Sequence, residues 1–230
     1  MKKGDIRKQE ILNTAEQLFC RNGYEQTGIQ DILDRLNISK GSFYHHYLSK
    51  ETLLEEICRK RAELIYSSAA AAAEEKETAV NKLNCLLSGM IPFRDEKLRF
   101  LLMLLPIFRL PEGRTVRMSY CDALSSLFCP SVCTQLLQGD RDGELSCTDP
   151  DLTAEIILSL VNRFWVCICD MILTAEQKGV PADLAECLRA AESYRRHIER
   201  MVFLPCGSIE LVDIPTLGYM NEQIHSHWAR

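Results

Sequence analysis

With 47% hydrophobic and 26% charged residues, the 230-residue chain has enough apolar side chains for a real core, which excludes wholesale disorder and fibrous architectures. The length suits one main domain carrying a small appended module and argues against a large multidomain enzyme. The net charge of -5 hides a split: residues 1–61 hold 11 Lys and Arg against 9 Asp and Glu, whereas residues 62–230 hold 16 against 23, so a nucleic-acid partner is to be sought at the amino-terminal end.

Helical spacing of Ile11, Leu12, Ala15, Leu18 and Phe19 predicts a first helix from about Ile6 to Asn22, stopped by Gly23. Thr27 can open a second helix, its hydroxyl accepting from a first-turn N–H while Gln30 reaches back, with Ile29, Ile32, Leu33 and Leu36 on the inner face. Asn37 tolerates the left-handed turn that leads into Lys40-Gly41-Ser42-Phe43-Tyr44-His45-His46-Tyr47. On this short helix Phe43 and Tyr47, four apart, can pack inward and turn Lys40, Ser42, Tyr44 and His45 outward. Ser49 caps a long helix from Lys50 to about Ala73, whose alanine run reads as a rigid strut. Further helices are expected at about Glu75–Ile91, Glu96–Phe108 and Glu112–Leu137, with Pro92, Pro106, Pro111, Pro130 and Gly139 as punctuation. Asp140 to Gly143 forms a turn. A helix capped by Thr148 or Asp149 runs from Pro150 to about Lys178, and a last one spans about Pro181 to Phe203. No convincing strand precedes Pro205, and the tail beyond it can be a short strand, a packed loop or a frayed end.

The longest apolar run, Phe100 to Phe108, is broken by Pro106 and is far shorter than the roughly 20 residues that span a bilayer. The start of the chain carries no apolar stretch of the kind a secretory signal needs. No membrane partner and a cytoplasmic location are expected. His-Glu-x-x-His, P-loop, Gly-x-Gly-x-x-Gly and Gly-x-Ser-x-Gly motifs are all missing, so no enzyme activity, cofactor, catalytic residue or metal ligand set is expected.

The pattern Gly23-Tyr24, Thr27, Asp31-Ile32, then Ser39-Lys40-Gly41-Ser42-Phe43-Tyr44-His45-His46-Tyr47 and Ser49-Lys50-Glu51 with Leu53 resembles the DNA-binding region of the TetR family of transcriptional regulators. The resemblance covers about 60 residues of the 230. It implies an all-α fold: an amino-terminal three-helix module with a helix-turn-helix, joined by a long helix to a helical ligand-binding and dimerisation domain. The implied boundaries are 1–49 for the DNA-binding domain, 50–204 for the second domain beginning with the connecting helix, and 205–230 for the tail. Leu33 and Asn37 stand where the family usually has a small residue and a glycine, and Gly28 where a hydroxyl is common.

A helix-turn-helix places its second helix in the major groove while neighbouring groups clamp phosphates. By that geometry and the family's usage, Lys40, Ser42 and His45 are the base-edge candidates, and Thr27, Tyr44 and Lys50 the phosphate candidates. Ser39, Gly41 and Tyr47 complete the DNA-binding set. A module of this mild charge binds one half-site weakly, so a homodimer on an inverted repeat in double-stranded DNA is expected. The helix from Ile156 to Leu173 is apolar almost all round, and the last helix carries a matching stripe. Ile157, Val161, Trp165, Ile168, Leu188, Ala191 and Ile198 are therefore assigned to the dimer interface, as part of a four-helix bundle. Phe100, Met103, Leu104, Phe108, Tyr120, Leu124, Phe128, Arg163 and Phe164 form a set suited to an apolar pocket for a hydrophobic or amphipathic small-molecule effector. Asn162 and Arg163 must be paired, with an internal carboxylate such as Asp170 or with a ligand's anionic end.

The function expected is a ligand-responsive repressor released by its effector. The alternative keeps the DNA module and makes the cysteines a redox or metal switch. Cys129-x-x-x-Cys133 can share a helix face, whereas Cys167-x-Cys169 cannot. His225-x-His227 could add to a metal site, but inert packing of the 11 cysteines is favoured.

Overall fold

In the computed structural model, which describes residues 3–108, 110, 113–180 and 182–228, every element is helical, and no strand occurs among the described residues. The helices are α1 (Lys3–Asn22), α2 (Ile29–Leu36), α3 (Lys40–Tyr44), α4 (Lys50–Glu74), α5 (Ala79–Met90), α6 (Asp95–Ile107), α7 (Gly113–Arg141), α8 (Pro150–Gln177), α9 (Leu184–Met201) and α10 (Ile214–Trp228). The chain forms two units: Met1–Ala62 with Arg99–Ala123, and Glu63–Leu98 with Leu124–Arg230. The expected positions Pro111, Glu112 and Pro181 lie outside the described residues.

In the first unit, α1 buries Ile11, Leu12, Ala15 and Phe19. Its end is closed by Gly23 at φ +89°, the left-handed conformation that glycine adopts without a Cβ penalty. The cap of α2 differs from expectation. Gly28 is the N-cap, and its N–H donates to the Asp31 carboxylate at 2.7 Å. Thr27, one residue earlier, is fully buried, its hydroxyl donating to the Gly23 carbonyl at 2.8 Å. Asn37 takes the left-handed conformation at φ 50°, and α3 starts at Ser39, whose hydroxyl accepts from the Ser42 N–H at 3.2 Å. Ser49 and Thr52 cap α4 reciprocally: the Ser49 N–H donates to Thr52 Oγ1 at 3.0 Å, and the Thr52 N–H to Ser49 Oγ at 3.2 Å. In the same unit Phe100 meets Tyr120 edge-on at 5.8 Å, and the Arg61 guanidinium lies 5.6 Å from the Phe100 ring while pairing with Glu16.

In the second unit the alanine run of α4 serves close packing. A Cβ on Gly89 of α5 would lie 2.5 Å from the Ala69 Cβ, so both positions must stay small. The start of α5 is held twice, by Thr78 accepting from the Asn81 N–H at 3.2 Å and by the distant Glu144 carboxylate accepting from the Val80 N–H at 2.9 Å. Gly139 does not end α7, which continues to Arg141, and Pro130 lies inside that helix. Asp149 caps α8, accepting from the Leu152 N–H at 3.1 Å, with Pro150 following.

The tail is neither a strand nor frayed. Beyond α9, Phe203 turns the chain at φ 55°, residues 204–213 run as a strap, and α10 packs against α8 and α9. Three anchors hold the strap. Buried Glu199 accepts from the N–H groups of Gly207 at 2.8 Å and Ile209 at 3.1 Å while pairing with Arg195 at 2.6 Å. Asn84 donates to the Ser208 carbonyl at 2.8 Å and accepts from the Glu210 N–H at 2.9 Å, completing a backbone-like pair through its side-chain amide. Arg94 pairs with Asp213 and donates to Thr216.

By length and composition, α8 is the one helix among the described residues that could cross a membrane. Its 28 residues escape a search for uninterrupted apolar runs, and 61% of its most apolar stretch is buried inside the structure, as in a core helix.

Candidate functional site

The outer face of the first unit is organised by α3. Phe43 is fully buried and Tyr47 is 4% exposed. Together they anchor the short helix while Lys40, Gly41, Tyr44 and His45 stay exposed and Ser42 half-buried. Tyr44, 46% exposed, leans edge-on against Phe43 with ring centroids 5.4 Å apart, so its ring is supported at one edge and its hydroxyl is free to reach outward. Ser39 is exposed and committed to capping.

Three of the expected DNA-contact residues have partners within the chain. Thr27 is sealed in the core by its bond to Gly23, so its hydroxyl cannot meet a phosphate. Tyr47 is a core residue whose hydroxyl donates to the Lys8 carbonyl at 3.5 Å. Lys50 is committed to two carbonyls of the preceding turn, Tyr24 at 2.7 Å and Thr27 at 2.9 Å.

Two cations from α1, outside the expected set, also bear on this face. Lys8 lies 5.7 Å from the Tyr47 ring, and Lys8 and Arg7 both bear on His46. Burial, then His45, Lys8 and Arg7, hold the His46 imidazole below the usual histidine range, which favours its neutral form near pH 7. A count of charges in residues 1–61 includes these cations but cannot say that they lie beside α3.

The nine expected pocket residues divide between the units. Phe100, Met103, Leu104 and Tyr120 are buried in the first, with Phe108 half-buried there. Leu124, Phe128 and Phe164 are buried in the second, where Phe128 meets Tyr66 at 5.2 Å and Phe164 meets Phe93 at 6.1 Å, and Arg163 is exposed. None lines the cavity that the second unit does hold, of about 720 Å³. Its walls come from α4 (Ser68, Ala69, Ala72), α5 with the following turn (Cys85, Ser88, Ile91, Phe93), Arg94, Lys97, Arg195, and the strap with Thr216. The aromatic stripe is core, and the tail segment that sequence periodicity left undefined supplies seven of the cavity's 18 lining residues.

The expected dimer residues are buried within the single chain: Ile157, Val161, Trp165, Ile168 and Ile198 at 0% and Ala191 at 8% exposure, with Leu188 half-buried. The α8 residues that face outward are Leu152, at 52%, and Ile156, at 40%, followed by half-buried Leu160 and Met171. Asn162 is paired internally, donating to Ser125 Oγ at 2.9 Å and accepting from the Trp165 indole at 3.1 Å.

The Cys133 thiol donates to Asp151 at 3.0 Å and is pushed up to about 11, first by that bond and then by burial. Burial raises Cys129 as well. Both stay predominantly as thiols at neutral pH, which is the unreactive form. Among the described residues no group of three or more His, Cys, Asp and Glu side chains is arranged to hold a metal. His225 pairs with Glu176 at 2.7 Å, and the side chain of His227 lies outside the described residues.

A short helix held by buried aromatics, with an exposed polar and aromatic face behind a tight turn, at the start of an all-helical chain, has the arrangement of a helix-turn-helix. Residues 11–57 match the family model of bacterial regulatory proteins, tetR family, so this segment is similar to the DNA-binding domain of that family. The chain is 30% identical over 117 residues to the uncharacterized HTH-type transcriptional regulator YerO of Bacillus subtilis (48% of this chain, 39% of YerO). It is 26% identical over 176 residues to the HTH-type transcriptional repressor KstR2 of Mycolicibacterium smegmatis (70% and 78%), and 43% identical over 53 residues to KstR2 of Rhodococcus jostii (23% and 26%). Two of these three matches thus span well under two thirds of the relative's length. Among solved structures, RolR in complex with resorcinol shares the fold at a TM-score of 0.58 and 16% identity (93% of this chain, 98% of that one). Salmonella enterica GusR does so at 0.55 and 17% (88% and 98%).

Proposed function

We propose that the protein is a ligand-responsive repressor that binds an inverted-repeat operator as a homodimer and leaves it when a small amphipathic molecule binds the helical part of the chain. Residues 1–49 form the DNA-binding domain in this reading, 50–204 the ligand-binding and dimerisation domain, and 205–230 a tail that contributes to the cavity. The observation that carries it is the outward set Lys40, Tyr44 and His45 on a helix anchored by Phe43 and Tyr47. Repressor action is supported by the KstR2 relatives, and effector binding by the ligand held in RolR, a protein of the same fold.

A cavity of about 720 Å³ falls within the size range of small-molecule sites. Its walls mix Ala69, Ile91 and Phe93 with Arg94, Lys97 and Thr216, which suits a ligand with an apolar body and a polar end. Such a ligand releases DNA only if it binds the off-DNA form more tightly than the DNA-bound one. The dimer face is assigned to Leu152, Ile156, Leu160 and Met171. The raised thiol pKa values of Cys129 and Cys133 disfavour a thiolate-based switch at that pair.

The test is selection of duplexes from a random-sequence pool by the purified protein, followed by affinity measurement with Tyr44→Ala. Wild type is expected to enrich a two-fold-related sequence, and the variant to lose about tenfold or more in affinity for it. No enrichment, or equal binding by the variant, contradicts the reading.

A further inference from the structure

We infer that Lys50 is a positioning residue for DNA recognition, whose ammonium ties the first turn of α4 to the turn preceding α2 and so sets where α2 and α3 stand. This rests on the DNA-binding reading above.

A lysine at the first position of a helix brings its charge to the positive end of the helix dipole, where it is disfavoured. Lys50 occupies that position and turns back from it. Its Nζ donates to the Tyr24 carbonyl at 2.7 Å and the Thr27 carbonyl at 2.9 Å, and lies 4.1 Å from the centroid of the Tyr24 ring, within cation–π range. Two of the three ammonium donors are thereby committed to backbone oxygen.

The turn it grips is rigid in its own right. Tyr24 is 8% exposed, meets Phe19 edge-on at 5.1 Å, and donates its hydroxyl to Glu51, the next residue of α4, at 3.4 Å. Thr27 is buried with its hydroxyl on the Gly23 carbonyl at 2.8 Å, and Gly28, which follows at once, caps α2. Lys50, Glu51, Tyr24 and Thr27 therefore make one knot between the start of α4 and the start of α2. A displacement of α4 at that knot is passed to the helix-turn-helix through short polar bonds. A phosphate could claim the third donor alone, so the two carbonyl bonds and any phosphate contact are separable by experiment.

A phosphate ligand and a positioning residue differ in what their loss does. Removing a phosphate contact weakens binding to all sequences alike and lowers the salt dependence, whereas misplacing the reading helix harms the matched sequence and leaves backbone attraction intact. Wild type, Lys50→Met and Lys50→Arg are compared on the duplex that wild type selects and on an unrelated duplex of equal length, across a salt series. Lys50→Met is expected to weaken the selected complex by about tenfold or more, with affinity for the unrelated duplex within about twofold and an unchanged slope of log Kd against log salt. Lys50→Arg, which restores a cation able to donate to both carbonyls, is expected to recover most of the loss.

Equal losses on both duplexes with a slope smaller by about 0.9 per protomer, about 1.8 for the dimer, mark a phosphate contact and overturn the inference. Undiminished binding by Lys50→Met overturns it too. Should Lys50→Met lose its helical circular dichroism, Tyr24→Leu, which removes the ring beneath the ammonium and leaves both carbonyls, is read by the same criteria. A wild type that selects no duplex fails at an earlier step, contradicting the DNA-binding reading and the inference with it.

Discussion

His46 is half-buried beside the recognition helix, its ring 4.9 Å from that of His45. Burial first, then the charges of His45, Lys8 and Arg7, hold its pKa below the ordinary 6.5. The unfolded chain takes up this proton near pH 6.5, as a free histidine does, while the folded chain resists it until lower pH. Its contribution to stability is therefore complete above about pH 6.5 and is lost as pH falls toward the folded value. His46→Gln is expected to narrow the difference in melting temperature between about pH 7.5 and about pH 5.5, measured by thermal unfolding. An unchanged difference contradicts the assignment. Residue type alone marks Thr27 and Lys50 as phosphate ligands, because a hydroxyl and an ammonium suit that role. Their commitment to Gly23, Tyr24 and Thr27 carbonyls depends on how α1, α2 and α4 converge, which no local pattern records. Tyr44 was legible because Phe43 and Tyr47, four residues apart, define the buried side of the same turn.

Among the elements, the strap and α8 depart furthest from the pattern of their sequences. The strap's anchor is Glu199, 2% exposed, with one carboxylate oxygen shared by two backbone N–H groups and Arg195. Glu199→Ala leaves two N–H groups without their acceptor and removes the nearest carboxylate from half-buried Arg195, and is expected to cost about 2–4 kcal/mol in denaturant unfolding. A loss below about 0.5 kcal/mol, typical of surface substitutions, means the strap is held by other contacts. Ser208 to Asp213 carry no periodicity because their backbone is paired through side chains on α5 and α9, and α10 was missed because Pro215 and Gly218 obscure its spacing. In α8 the apolar character was plain, but its orientation was not: an all-round apolar helix does not say which stripe its own core takes. Ile157, Val161 and Trp165 take the inside, leaving Leu152 and Ile156 outward. The double variant Leu152→Glu, Ile156→Glu is expected to sediment as a monomer and to bind DNA more weakly, with its helical circular dichroism unchanged. Sedimentation identical to wild type excludes this stripe from the dimer.

At the scale of the molecule, the all-helical architecture was legible because caps and glycine stops such as Ser39, Ser49, Asp149 and Gly179 sit where the helical spacing breaks. Which helices share a core was not. Residues 99–123 join 1–62 through pairs such as Arg61 over Phe100, a contact set by residues 39 positions apart in the chain. For the same reason an aromatic stripe that reads as one pocket is distributed over two cores, and the cavity arises where the tail lies against α4 and α5. In the proposed complex two copies of the α2–α3 pair read two half-sites of one operator. Hydroxyl-radical footprinting of the wild-type protein on its selected duplex checks this. Two protected patches of inverted sequence are expected, centred one helical turn, about 34–36 Å, or a multiple of it apart, and lost together with Leu152→Glu, Ile156→Glu. A single protected patch, or two patches that persist in the double variant, would contradict it.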